Sequence, residues 1–417
     1  VLKITSVKSQ GELIVFNTND YKTVDSCRCC GGKSLSNVLD LGSQPLANSY
    51  HTLEQQLNEY PLSLNVCNDC YHSQLSVVVS PDLMFKNYLY VSGTTDTLRS
   101  YFDFFSKFTV ERYIAKNENR PKSILDIACN DGTQLDYYHQ LGLKTYGIDP
   151  AENLVPTISD KHEVLCGYFP EDKFSKKFSI ITAQNVFAHT DDIKSFLDEC
   201  RESLEDNGIV YIQTSQSNMF KRNEFDTIYH EHLSFFNTKS MKTIVERCGL
   251  VLNNVFKFSV HGSSYIFEIS KQKIESNVES VLCMEEKNGL YCKNTYKQFA
   301  QKASKVTRDL KEKVLQYQIE GYKVIGYGAA AKGMTVLNYG SIKLDAIIDD
   351  NPLKVGLYTP GTNTKIVDSQ ELNLHEKLVI VPLAWNFFSE IKSRTSKKRK
   401  MQTIFINYFP ELDISYE

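Results

Sequence analysis

The chain has 417 residues, with 47 Lys+Arg against 50 Asp+Glu, a formal charge of −3 and 41% apolar residues. That length allows two or three domains with sizeable cores. The charge balance offers no basic excess for nucleic acid or an anionic membrane surface, and the longest apolar runs, such as 378–385, are strand-sized and too short for a membrane span.

The first two dozen residues alternate only weakly and read as an arm or an early strand, with no apolar core and cleavage site of a signal peptide. Of eleven cysteines, four form two Cys-x-x-Cys pairs and seven follow no paired spacing, which fits a reducing compartment and predicts a cytoplasmic protein. Cys27, Cys30, Cys67 and Cys70 form two knuckles whose thiolates close a tetrahedral zinc site, with Cys29 spare. Such a site leaves no open coordination position and is assigned to folding; a reduced, metal-free cluster is the alternative. The segment 41–50 between the knuckles reads as turn-rich, and Tyr88 and Tyr90 share one side of an extended stretch. Residues 1–90 are read as a small zinc-binding domain.

Residues 91–272 open with a helix from about 95 to 117 and then alternate strands with helices. Strands are expected at 123–129, 144–149, 178–185 and 208–214, a helix at 191–204, and a closing hairpin at 250–259 and 263–270. This predicts an α/β fold with a doubly wound sheet and an antiparallel edge. Ligands of such sheets sit beyond the carboxyl ends of the strands. Asp126, Asn130, Asp131 and Gly132 lie at the first end, Asp149 at the second and Asn185 at the end of the third of these strands. The first turn is acidic and lacks Gly-x-Gly-x-x-Gly, so it suits a cationic, phosphate-free nucleoside, S-adenosylmethionine, better than a pyrophosphate. The arrangement resembles the class I methyltransferase fold.

Within that region, Tyr229-His230-Glu231-His232 sets a phenol, two imidazoles and a carboxylate between apolar neighbours. A neutral imidazole is the usual proton acceptor near pH 7, a Tyr donates to an oxygen gaining charge, and a Glu orients a ring. The His-Glu-His spacing lacks the one-turn separation of a His-Glu-x-x-His metal site. A buried polar loop with satisfied histidines is the plainer alternative.

Residues 273–417 start with a charged helical stretch from 276 to 320. A strand, a glycine-rich turn with Gly328, and a helix start carrying Lys332 follow. Acids about twenty residues later, at Asp349 and Asp350, complete a Rossmann-like α/β spacing that suits a nucleotide or nucleotide-sugar phosphate.

In this order the three regions look like the three-domain sugar C-methyltransferases of nucleotide-deoxysugar biosynthesis. The likeness rests on the paired knuckles with Pro45-Leu46-Ala47-Asn48 between them and on the segments 125–132, 185–189, 229–235 and 326–333. It implies zinc near the N-terminus, S-adenosylmethionine in the middle, and a nucleoside diphosphate sugar, dTDP-linked, between the middle and C-terminal parts. The implied reaction methylates the carbon beside the ketone of a 4-keto-6-deoxy sugar, at C3. His232 is then the base, Tyr229 the enolate donor, and Glu231 an orienter of His232 or a sugar contact. His189 faces the same cleft, Tyr90 or Tyr88 reaches it from the N-terminal domain, and His230 contacts substrate. Two rivals stand beside this reading: a nucleotide-sugar binding protein with an inactive methyltransferase domain, and an O- or N-methyltransferase. The sequence carries no signal for an oligomeric state.

Overall fold

A computed structural model describes residues 20–85, 91–214, 219–258 and 264–417, and the backbone of 8–9 and 12–13. Tyr88 and Tyr90 lie outside the described residues. The N-terminal part is an antiparallel sheet of β1 (Leu35–Pro45), β2 (Glu59–Cys67) and β3 (Ser73–Leu75). Along β2 half-buried and buried positions alternate, so one face of the pleat meets the core. The turn expected over 41–50 is only partly there, because 41–45 finish β1. The strand keeps its pairing through a register shift between Asp40 and Ser43, where Gly42 takes a φ of +74°. The segment 21–23 is a short strand paired with 77–79.

The middle sheet contains β4 (Ser123–Ile127), β5 (Lys144–Asp149), β6 (Glu163–Cys166), β7 (Phe178–Gln184) and β8 (Leu204–Thr214). Next along the chain come β9 (Ser234–Phe235), which leaves this sheet, and then β10 (Val251–Phe258) and β11 (Ser264–Ser270). The order across the sheet is β6-β5-β4-β7-β8-β11-β10, parallel throughout except that β11 runs antiparallel to both neighbours. Its helices are α1 (Asp96–Asn117), α2 (Thr133–Gln140), α3 (Ile193–Ser203) and α4 (Thr238–Arg247). Side chains set their starts: Thr95 accepts from the Leu98 N–H, Asp192 from Ser195, and Asn237 with Ser240 forms a capping box.

The charged stretch after 276 is two helices, α5 (Val278–Lys287) and α6 (Lys293–Ile319), separated where Gly289 adopts a φ of +75°. The C-terminal sheet contains β12 (Lys323–Tyr327), β13 (Ala346–Ile348), β14 (Ile366–Val367), β15 (Leu378–Pro382), β16 (Thr403–Asn407) and β17 (Asp413–Tyr416). Helices α7 (Ala331–Gly340) and α8 (Phe388–Lys398) flank it. The order is β14-β13-β12-β15-β16-β17, parallel except for β17.

The segment after β8 ties the three sheets together. β9 pairs with β3, so the middle part of the chain contributes a fourth strand to the N-terminal sheet. Phe225, Ile228 and Leu233 share one apolar core with Leu62 and Leu64 of the N-terminal sheet and with Met334 and Val336 of α7. Among the described residues no helix is long and apolar enough to cross a membrane.

Packing is close where β12 enters the glycine-rich turn. A Cβ at Gly326 would lie 2.8 Å from Leu383 Cδ1 and 3.0 Å from Ile347 Cγ1. Gly326→Ala should therefore overpack this core and lower stability by about 1–3 kcal/mol, measured by denaturant unfolding.

Candidate active site

The two cysteine knuckles are closely alike. The Gly31 N–H donates to the Cys27 carbonyl at 2.8 Å and the Tyr71 N–H to that of Cys67 at 3.0 Å, with φ of +76° and +59° at these two residues. Backbone N–H groups of Gly32 and Asp69 point at the sulfurs of Cys30 and Cys67, each at 3.4 Å. All four sulfurs lie within 4.8 Å of one another, and the Cys27–Cys70 and Cys30–Cys67 pairs are 3.5 Å apart. Tetrahedral zinc with bonds near 2.3 Å needs sulfurs about 3.8 Å apart, so the thiols fit it.

Arg28, inside the first knuckle, reaches across to the middle part. Its guanidinium donates to the carbonyls of Leu75 and Leu233 and pairs with Asp191 at 3.2 Å.

At the carboxyl ends of β4 and β7 the chain turns sharply, with Ala128, Asn130, Gly132 and Asn185 all at positive φ. Asp126 accepts from the Thr182 hydroxyl at 2.6 Å, and Asp149 accepts from the Asn130 and Ala151 N–H groups at 2.8 and 2.9 Å. The side chains of Asn130 and Asp131 accept from the N–H groups of Ser92 and Gly93, each at 2.8 Å, so they hold the segment before α1 across this turn. Burial, and then the neighbouring Asp149, push the Asp126 carboxyl up to about 7; burial and Asp131 push Asp149 up as well. A cationic ligand relieves such crowding, which is the chemistry of a sulfonium nucleoside.

Tyr229, His230, Glu231 and His232 form a tight turn closed by the His232 N–H to the Tyr229 carbonyl at 2.9 Å. His232 Nδ1 lies 2.7 Å from the Thr227 carbonyl, and an oxygen of that kind only accepts, so Nδ1 carries the proton. Nε2 is left as a lone pair and accepts from the Tyr229 hydroxyl at 3.0 Å, with the two ring centroids 4.1 Å apart. His189 meets the His232 ring edge-on at 5.0 Å. Burial lowers both imidazoles, His189 to about 4 and His232 well below its ordinary value, so both are neutral near pH 7.

The structure corrects two placements. His230 does not share the side of His232, because the turn sends it the other way. Its Nε2 donates to the carbonyls of Tyr60 and Pro61 at 3.3 and 3.2 Å, and its ring packs on Tyr60. Glu231 does not orient His232, since the Thr227 carbonyl holds that ring. It accepts instead from Asn48 at 2.6 Å, and burial raises its carboxyl to about 7.

On the C-terminal side, Gly328 sits at φ +89°, where a Cβ would be 2.9 Å from that of Ala384. The Ala329 carbonyl accepts from the Tyr50 hydroxyl at 2.5 Å and from Lys354 at 2.7 Å. Lys332 Nζ lies 4.8 Å above the Trp385 ring, and its charge acts on Glu224, Asp226 and His232. Asn48 and Trp385 carried no local signal in the sequence, since each meets a partner more than a hundred residues away.

Family comparison accounts for nearly the whole chain in three consecutive segments: "Putative zinc binding domain" over 27–85, "Methyltransferase domain" over 99–255 and "C-methyltransferase C-terminal domain" over 259–410. The chain is similar in all three parts to the zinc-containing C-methyltransferases. This C-methyltransferase uses S-adenosylmethionine and binds zinc. It is 27% identical to C-methyltransferase NovU of Streptomyces niveus over 388 residues, which are 89% of this chain and 92% of NovU. A ubiquinone biosynthesis O-methyltransferase of Rhodopseudomonas palustris is 28% identical over 102 residues, 23% of this chain and 40% of that protein. Among solved structures, the plantazolicin methyltransferase BpumL in complex with SAH overlays 42% of this chain and 86% of its own at 15% identity and a TM-score of 0.36.

Two measurements probe this centre. Replacing Cys67 by Ser should drop bound zinc well below one ion per chain and reduce the soluble yield, read by metal analysis of the purified protein. Glu231 concerns pH: an unfolded Glu ionises near 4.5 and this one at about 7. Between those values the folded chain keeps a proton that the unfolded chain releases, so stability falls as pH rises through that window. Glu231→Gln should remove part of that slope, seen as a smaller difference in unfolding midpoint between about pH 5 and pH 8.

Proposed function

We propose that this C-methyltransferase acts on the carbon beside the ketone of a nucleotide-linked 4-keto-deoxysugar, dTDP-linked, and methylates it at C3. The observation that carries the reading is His232, a buried neutral imidazole whose Nδ1–H is committed to Thr227 and whose Nε2 lone pair touches a phenol. Oxygen and nitrogen acceptors carry lone pairs of their own, whereas carbon must first lose a proton.

In the proposed sequence, His232 Nε2 takes the proton from C3. The electron pair of the C–H bond moves into the C3–C4 bond, and negative charge develops on the ketone oxygen. The Tyr229 hydroxyl donates to that oxygen. At rest the same hydroxyl rests on Nε2, so arrival of the ketone exchanges one hydrogen bond for another and frees the base. His189, edge-on to His232, helps keep its ring neutral.

S-adenosylmethionine supplies the electrophilic methyl group. Asp126 and Asp149 with the turn through Gly132, and Asn185 beyond β7, are the residues we assign to it, while Asn130 and Asp131 fix that turn. We assign the diphosphate to the turn at Gly328 and the start of α7, which has no side-chain cap, with Lys332 adding charge. Glu231, Asn48 and, by the sequence reading, Tyr88 and Tyr90 complete the sugar site, in a protein of the cytoplasm.

Proton removal is tested apart from methyl transfer by incubating the enzyme with dTDP-4-keto sugars in deuterated water. His232→Asn should cut both C3 exchange and methylation by about 10²–10⁴-fold while both ligands still bind. Normal exchange and methylation in that variant would move the base elsewhere, and methylation without any C3 exchange in the parent enzyme would favour an oxygen or nitrogen acceptor.

A further inference from the structure

The carbonyl that fixes His232 belongs to the middle part of the chain, yet the groups that hold it in place come from the C-terminal part. Thr227 closes the single turn Phe225–Thr227. On one side of it, Asp226 accepts from the Trp385 indole N–H at 2.5 Å, both residues being buried. On the other side, the Ile228 carbonyl accepts from the Thr335 hydroxyl of α7 at 3.2 Å. Trp385 is itself immobilised, stacked on Phe409 with ring centroids 3.6 Å apart and covered by Lys332. The two residues flanking Thr227 are therefore bolted to the turn after β15 and to α7, and the peptide between them is aimed at His232 Nδ1.

This bracket matters because an imidazole has two tautomers of similar energy, and the bond made by one nitrogen decides the state of the other. With Nδ1–H donated to Thr227, Nε2 can accept a proton. If that carbonyl swings away, a share of the molecules carries the proton on Nε2 and presents no base.

We propose that Trp385, through Asp226, and Thr335, through Ile228, are positioning residues by which the C-terminal sheet fixes the proton-accepting tautomer of His232. This rests on His232 being the base. It also gives the C-terminal part a duty beyond holding a ligand, since the sheet assigned to the nucleotide sets the protonation geometry of the reacting group.

The test uses the full-length, zinc-loaded protein with 15N-labelled histidine. Long-range 15N–1H spectra report the tautomer of each ring, and the His232 signals are identified by their absence in His232→Gln. The parent enzyme should show His232 as the Nδ1–H form. Trp385→Phe keeps the ring stack and removes only the indole donor; it should give a mixture of tautomers. Its kcat should fall by about 10–100-fold, the usual cost of losing an outer hydrogen bond to a functional His, with KM for sugar and methyl donor within about twofold. Asp226→Asn retains an acceptor for the indole and should stay closer to the parent. Thr335→Val removes the second brace without changing shape and keeps the test open should the first variant fold poorly. An unchanged Nδ1–H form in both Trp385→Phe and Thr335→Val overturns the proposal, and so does an altered tautomer with an unaltered kcat. The spectra need no substrate, so they stand whichever sugar the enzyme takes.

Discussion

The pairing of Ser234–Phe235 with Ser73–Gln74 commits the loop that precedes it to lie between three sheets. The directions taken by His230 and His232 follow from that constraint. His230 must turn into the N-terminal sheet, where two carbonyls await it, and His232 must turn the other way, toward Thr227 and Tyr229. The zinc knuckle reinforces the arrangement through Arg28, which holds the carbonyl just after His232 and the carboxylate two residues beyond His189. Both histidines that meet edge-on are thus tied to the same metal-braced turn.

Enclosure supplies the electrostatics. Imidazoles sealed from water stay neutral, while the carboxyls of Asp126, Asp149 and Glu231 are driven upward by the same burial. The acidic turn and the neutral dyad therefore need no separate explanation. One dry environment suits a cationic donor on one side and keeps an imidazole lone pair unprotonated on the other.

Local features were readable in the chain where they obey a local rule. Two Cys-x-x-Cys pairs found each other, strand and helix periodicity gave the α/β class of both sheets but not β6, β14, β16 or β17, and Thr95 and Gly328 marked a helix start and a glycine-dependent turn. What stayed hidden depended on backbone direction or on a distant partner. Two histidines spaced by one residue share a side only in an extended chain, and the chain here is a tight turn. Glu231 looked paired with its sequence neighbour, but its partner is Asn48 from the N-terminal sheet's loop, far away along the chain. Gly42, Ser43 and Pro45 suggested a loop by composition, whereas β1 absorbs them in a bulge because the neighbouring strand supplies hydrogen bonds.

The β9 exchange also bears on how such enzymes can be recombined. A cut after the zinc knuckles would leave β9 without a sheet to join, and a cut before the C-terminal helices would strip α7 from the core that Phe225, Ile228 and Leu233 share. The catalytic unit is therefore not a cassette that can be shuffled between scaffolds on its own. Grafting a new methyl-acceptor preference onto this architecture means carrying the loop together with the strand surface on one flank and the helix start on the other, as a single inherited block.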